Sequence, residues 1–269
     1  MQPQILVVSD PPHVEVNRDA VAAILGMDVT DARVKIGFPA PEVFAASDED
    51  RAREFATSLR AAGMSVKILD GQDLATIPWP VPVSSFSFGV DWLAARVGDE
   101  DVEIPYDTPL LGVYCKPPSD FDREPATGLV PGDRGLAIAE AIEWSTNLDL
   151  YFQRGGGVQR ISIVREHVDF SGLGDRSLVT AEENMELTVS ELEHRFPNLR
   201  LDRRLENVRP RTRLKLGDST FELDMRKLFS FGTLLLRQVL ESVEPGLGDM
   251  TQHEFGSRVA YLLSDQSGS

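Results

Sequence analysis

The sequence predicts an α+β fold: a small βααβαβ module at the N-terminus, then a β-rich domain with C-terminal helices. Three observations carry the prediction. Residues 47–68 read as a capped helix, a glycine stop and an alternating strand. Two pairs of short alternating runs flank tips at Gly98 and at Gly155-Gly156-Gly157, as hairpin strands do. In 184–196, Met185, Val189, Leu192 and Phe196 recur at i, i+4, i+7 and i+11 and so share one helix face.

Ile5 to Val8 is a short apolar run stopped by Pro11 and Pro12, a strand. Asn17 caps a helix holding Val21, Ile24 and Leu25, and Gly26 closes it. Asp28 or Thr30 caps a shorter helix through Ala32 and Ile36. Pro39 and Pro41 keep the next residues extended, because proline disfavours helix before it. Val43 and Phe44 form a strand. Ser47, with Asp50 three residues on, then caps a helix whose apolar stripe is Ala52, Phe55, Ala56 and Leu59. Gly63 supplies the left-handed stop, and Met64, Val66 and Ile68 alternate as a half-buried strand.

This order, in LGMDVTDARVKIGFPAPEVFAASDEDRAREFATSLRAAGMSVKI, resembles the C-terminal domain of the bacterial ribosomal stalk protein over residues 4–69. The resemblance implies a compact protein-binding module. In that family a basic surface on the two short helices and the connector recruits translation GTPases. Here Arg33 and Lys35 are basic there, beside Thr30, Asp31 and Glu42, so a different protein partner is implied.

Residues 73–83, with Pro78, Pro80 and Pro82, read as a Pro-rich linker after a first domain at 1–72. Phe86 and Phe88 alternate with serines. Residues 92–97, an acidic tip at 98–101, and Val102 with Ile104 make the first hairpin. Residues 110–116 form an apolar strand. A Pro, Gly and Asp-rich stretch at 117–133 reads as a mobile loop. Residues 137–144 suggest a helix, and 148–152 with 158–163 make the second hairpin. Strands, glycine-tipped hairpins and one closing helix over 84–208 are similar in outline to the pleckstrin-homology type of β-domain. The same strands also fit another α+β sheet. Residues 209–269 are expected to add a strand at 220–225, an amphipathic helix at 228–243, a short helix at 253–263 and a disordered tail.

The chain of 269 residues carries 27 basic and 43 acidic side chains, a net −16. Such a charge opposes binding to nucleic acid and to anionic membranes. No run reaches the roughly 20 apolar residues of a membrane span, so no membrane insertion is expected. Cys115 is the only cysteine, which rules out an internal disulfide and fits a cytoplasmic protein.

Residues 1–150 hold 11 basic and 25 acidic groups, whereas 151–269 hold 16 and 18. The basic groups concentrate in 200–215: Arg200, Arg203, Arg204, Arg209, Arg211, Arg213 and Lys215 against Asp202 and Glu206. Guanidinium groups can grip phosphate or carboxylate bidentately. The block is therefore the candidate anion- or partner-binding site, unless it pairs with the chain's own acids.

No histidine among His13, His167, His194 and His253 has metal-ligand spacing, and no metal or other cofactor is expected. Gly155-Gly156-Gly157 precedes a strand, whereas a phosphate loop precedes a helix. No catalytic residue is assigned. The sequence thus points to a bacterial cytoplasmic adaptor that binds another protein. Two other classes stay open: an enzyme assembling a histidine with the arginine block, and a nucleotide or nucleic-acid regulator using that block.

Overall fold

The structure, a computed structural model, describes residues 5–11, 13, 15–38, 40–117, 145–208 and 252–265. The expected loop at 117–133, beyond its first residue, lies outside the described residues. So do the helix at 137–144, the strand at 220–225 and the helix at 228–243. The chain is α+β and divides into two compact units, Met1–Ile77 with Arg211–Ser269, and Pro78–Pro210.

The first unit is built on β1 (Ile5–Ser9), β2 (Val43–Ser47) and β3 (Val66–Asp70), ordered β2-β1-β3 and antiparallel throughout. Asn17 caps α1 (Arg18–Leu25) by accepting from the Ala20 N–H, and Gly26 ends it at φ 64°. Asp28 caps α2 (Val29–Ile36) through the Thr30 N–H. The cap of α3 (Glu49–Ala61) is Asp48 rather than Ser47, which is the last residue of β2. Gly63 takes φ 89°, where a side chain would be strained, and turns the chain into β3.

One face of this sheet, Ile5, Val7, Val66 and Ile68, packs on Val21, Ala32, Ala52, Ala56 and Leu59 of the three helices. The other face, Leu6, Val8 and Leu69, is buried as well. It is covered by α4 (Gly71–Thr76) and α6 (Gln252–Asp265) through Leu74, Phe255, Val259 and Leu263. Phe255, Val259 and Leu263 recur every four residues, so α6 presents one apolar stripe. The expected 73–83 linker is corrected accordingly. Asp70 caps α4 through the Gln72 N–H, and residues 81–83 already belong to a strand. The helix expected at 253–263 is α6, part of the first unit.

The second unit is a seven-stranded mixed sheet ordered β10-β7-β8-β9-β4-β5-β6. Its strands are β4 (Val81–Phe88), β5 (Trp92–Val97), β6 (Glu100–Pro105), β7 (Leu110–Lys116), β8 (Asn147–Arg154), β9 (Gly157–Val164) and β10 (Leu199–Glu206). Both expected hairpins are present, β5–β6 around Gly98 and β8–β9 around Gly155-Gly156. Two pairs are parallel, β4 with β9 and β10 with β7.

Helix α5 (Ala181–Arg195) begins in a capping box. Thr180 accepts from the Glu183 N–H, and the Glu183 carboxylate accepts from the Thr180 N–H. Met185, Val189, Leu192 and Phe196 all face the core, against Tyr114, Leu148, Leu150 and Ile163. A 3₁₀ segment, Phe170–Arg176, adds Phe170 and Leu173 beside Phe86. Gly172 passes so close to β4 that a Cβ would stand 2.6 Å from the Phe86 carbonyl carbon. Gly172→Ala should lift the segment and cost about 1–3 kcal/mol or more. A wild-type guanidinium midpoint in that variant would show that the segment yields freely.

Candidate functional site

At the N-terminal end of α5, Lys116 closes β7 and Arg165 follows β9. Lys116 Nζ lies 2.8 Å from Glu182 and 2.5 Å from Glu186, and Arg165 pairs with Glu182 at 2.5 Å and with Glu166. The Tyr114 hydroxyl donates to Glu186 at 3.1 Å. Burial opposes the charge on Glu182, but hydrogen bonds from Lys116 and Arg165 outweigh it and hold the carboxyl below its usual range. Burial likewise works to lower Lys116, and its bonds to Glu182 and Glu186 win and raise it. Burial, then the Glu186 charge, push Tyr114 upward. Glu182 and Lys116 are thus held charged and Tyr114 protonated, each titrating further from neutral pH than its free side chain, whereas acid–base catalysis favours groups that titrate near it. The cluster ties helix to sheet.

The candidate arginines divide. Arg200, Arg203 and Arg204 lie on β10, which sequence reasoning had not assigned as a strand. Arg203 stacks over the Tyr114 ring at 5.4 Å and pairs with Glu206 at 3.3 Å. Arg204 grips both oxygens of Asp202, at 3.0 and 3.1 Å from Nε. These two arginines therefore take their partners from the chain's own acids. Arg209, Arg211, Arg213 and Lys215 lie outside the described residues. Among the described residues no group of three or more His, Cys, Asp or Glu is placed to hold a metal ion.

His167 and His194 are exposed, and His13 is half-buried. His13 Nδ1 accepts from the Ser65 N–H at 3.1 Å, which requires a neutral ring. Burial lowers its pKa, against the opposing pull of Asp10. The unfolded chain therefore binds a proton more readily than the folded one. Stability tied to His13 is present above the unfolded value of 6.5 and is lost as pH falls through the lowered folded value. Amide exchange in β1 and β3 should accelerate as pH drops below 6.5, after correction for intrinsic rates, and His13→Gln should flatten that slope. Equal slopes in both proteins would remove His13 as the cause.

A second arrangement stands at the opposite end of α5, and no sequence motif announced it. The turn joining β4 to β5 carries Val90, 85% exposed, and leads into Trp92, 41% exposed. Its backbone is held from two sides. The Gly89 carbonyl accepts from the Tyr106 hydroxyl at 2.9 Å and from Arg195 Nη1 at 3.3 Å. The Arg195 guanidinium lies over the rings of Phe88 and Tyr106, at 5.3 and 5.7 Å. Glu191 accepts from Arg195 at 2.9 Å and also pairs with Arg176. The Arg176 bond, opposed by burial and helped by Arg195, keeps the Glu191 carboxyl below its usual range. Tyr106 packs edge-on against buried Phe196, with ring centres 5.0 Å apart.

Arg195 and Glu191 are an i, i+4 pair on a helix, which the sequence alone reads as an ordinary surface pair. Their use as a clamp depends on the hairpin reaching them. The result is a fixed β-turn that presents a valine and a tryptophan to solvent. No family model, curated protein or solved structure matches the chain. No described helix is long and apolar enough to cross a membrane.

Proposed function

We propose that the chain is a non-enzymatic cytoplasmic adaptor whose Pro78–Pro210 unit docks another protein at the β4–β5 turn. The observation that carries this is the clamped turn with Val90 and Trp92 in water. Tryptophan is enriched among the residues that dominate binding energy, and a rigid anchor loses little entropy on docking. Val29 and Val34, both exposed on α2, offer a further contact on the module that resembles the stalk domain. The single buried Cys115 suits a reducing compartment.

The test is affinity capture with the wild-type chain beside Val90→Asp and Trp92→Ala, each checked for an unchanged circular dichroism spectrum. A partner retained by the wild type should be lost from both variants. Recovery of the same proteins by all three chains would refute docking at this turn.

A further inference from the structure

We infer that the partner reaches this surface with a cationic polypeptide segment, which lies across the exposed face of β4, β5 and β6; this rests on the docking role proposed above. The register defines the face. Leu93 and Ala95 pair with Ile104 and Val102 on the buried side. Trp92, Ala94 and Arg96 therefore pair with Pro105, Glu103 and Asp101 on the other side. Across β4 the same side continues with Ser85 and Ser87. The centre is thus small (Ser85, Ser87, Ala94), with Trp92 at one end and carboxylates along β6. Arg96 offsets Asp101 at 3.2 Å. Glu103 sits one diagonal step from Trp92, roughly 7–8 Å between backbone positions. Asp91 and Asp107 flank the turn and are exposed.

An indole face beside a carboxylate suits a guanidinium or ammonium group, which stacks on the ring and pairs with the acid. The charge selects the occupant. Anionic lipid and nucleic acid are repelled by a chain of net −16, and so is a second copy of it. A second copy adding through β6 would also bring Glu100, Asp101 and Glu103 against the same three acids, and like charges opposite one another destabilise a strand pair. Acidic side chains on β6 alone would be explained as protection of a free sheet edge. That protection does not explain a tryptophan and a valine held in water beside them.

The probe is a labelled, amidated octapeptide of alternating arginine and valine, titrated by fluorescence anisotropy with the full chain at about 150 mM salt. A glutamate–valine octapeptide serves as its counterpart. The arginine peptide should bind and the glutamate peptide should not. Glu103→Lys and Trp92→Ala should each weaken binding by about tenfold or more. Glu54→Lys, an equal charge change on the exposed side of α3, should change it by less than about twofold. No binding, equal loss with Glu54→Lys and Glu103→Lys, or tight binding of the glutamate peptide would each overturn the inference. Should the peptide fail while the capture experiment still depends on Trp92, the docking role stands and only the cationic partner falls. Glu103 is exposed on a surface strand, so its variant reports even where Trp92→Ala disturbs the turn.

Discussion

Arg160→Leu should destabilise the Pro78–Pro210 unit by about 3–5 kcal/mol, the loss expected when one partner of a buried ion pair is removed. Arg160 Nη2 donates to Asp149 Oδ2 at 2.8 Å, and both side chains are fully buried. Strand pairing brings them together: Arg160 is opposite Tyr151 on β8, and Asp149 is opposite Ser162 on β9, so the pair meets along a diagonal of one face. The guanidinium also lies over the Tyr151 ring at 5.1 Å. Removing the arginine takes from the buried Asp149 carboxylate the guanidinium that donates to it, and breaking a buried ion pair costs far more than the pair contributes. Replacing both residues together, Asp149→Leu with Arg160→Leu, should therefore cost less than either change alone. Guanidinium unfolding followed by tryptophan fluorescence reads this, because Trp92 sits in the same unit. Single losses that simply add in the double variant would show that the two charges do not interact.

Arg258→Ala should be comparably damaging to the first unit, again by about 3–5 kcal/mol. Arg258 is completely buried on α6, and its Nε pairs with Glu254 at 2.5 Å. Its Nη1 donates to the carbonyls of Leu74 and Ile77 at 2.6 and 2.7 Å. These lie at the C-terminal end of α4, where helix carbonyls have no partner within their own helix. The arginine thus does two jobs: it satisfies the end of a six-residue helix and locks α6 over Leu6, Val8 and Leu69. Truncation to alanine frees those carbonyls, breaks the ion pair with Glu254 and loosens a cover that hides several large apolar side chains, each contributing about 1.5–3 kcal/mol when buried. Hydrogen exchange should show β1 and β3 losing protection together while β8 and β9 keep theirs. Arg258→Lys should recover only part, because one ammonium cannot reproduce a guanidinium's fork of donors. Unchanged exchange in β1 would mean that α6 contributes little to the first unit.

Much of the local structure was legible. Asn17 and Asp28 cap the helices they precede, Gly26 and Gly63 take the positive φ their positions imply, and Met185, Val189, Leu192 and Phe196 all face inward, although their helix begins at Ala181 behind a Thr180 cap and not at the expected Asn184. The misplaced cap at Ser47 was an error of one residue between adjacent oxygen-bearing side chains. Ile5 to Val8 is apolar at four consecutive positions, and a strand that alternates on neither side needs both its faces covered. Density in sequence marks the candidate arginines, but it does not show that Arg204 and Arg203 turn to Asp202 and Glu206 of their own strand, nor that the Tyr114 ring of the neighbouring β7 lies beside Arg203.

The sequence by itself determined the α+β class, the two capped helices between Asn17 and Ile36, the inward face of α5, the two glycine-tipped hairpins and the acidic charge that selects against polyanions. Each follows from groups no more than a turn or a strand-pair apart, where propensity, capping and period act directly. Only the tertiary structure decided the strand order β10-β7-β8-β9-β4-β5-β6, the placing of α6 on β1, and the grip of Arg195 on a turn 106 residues earlier. Those contacts join residues whose local patterns would suit many partners. Closing the long loops between them is repaid only when shape, charge and hydrogen bonds all fit at once, and that fit exists in the folded chain alone.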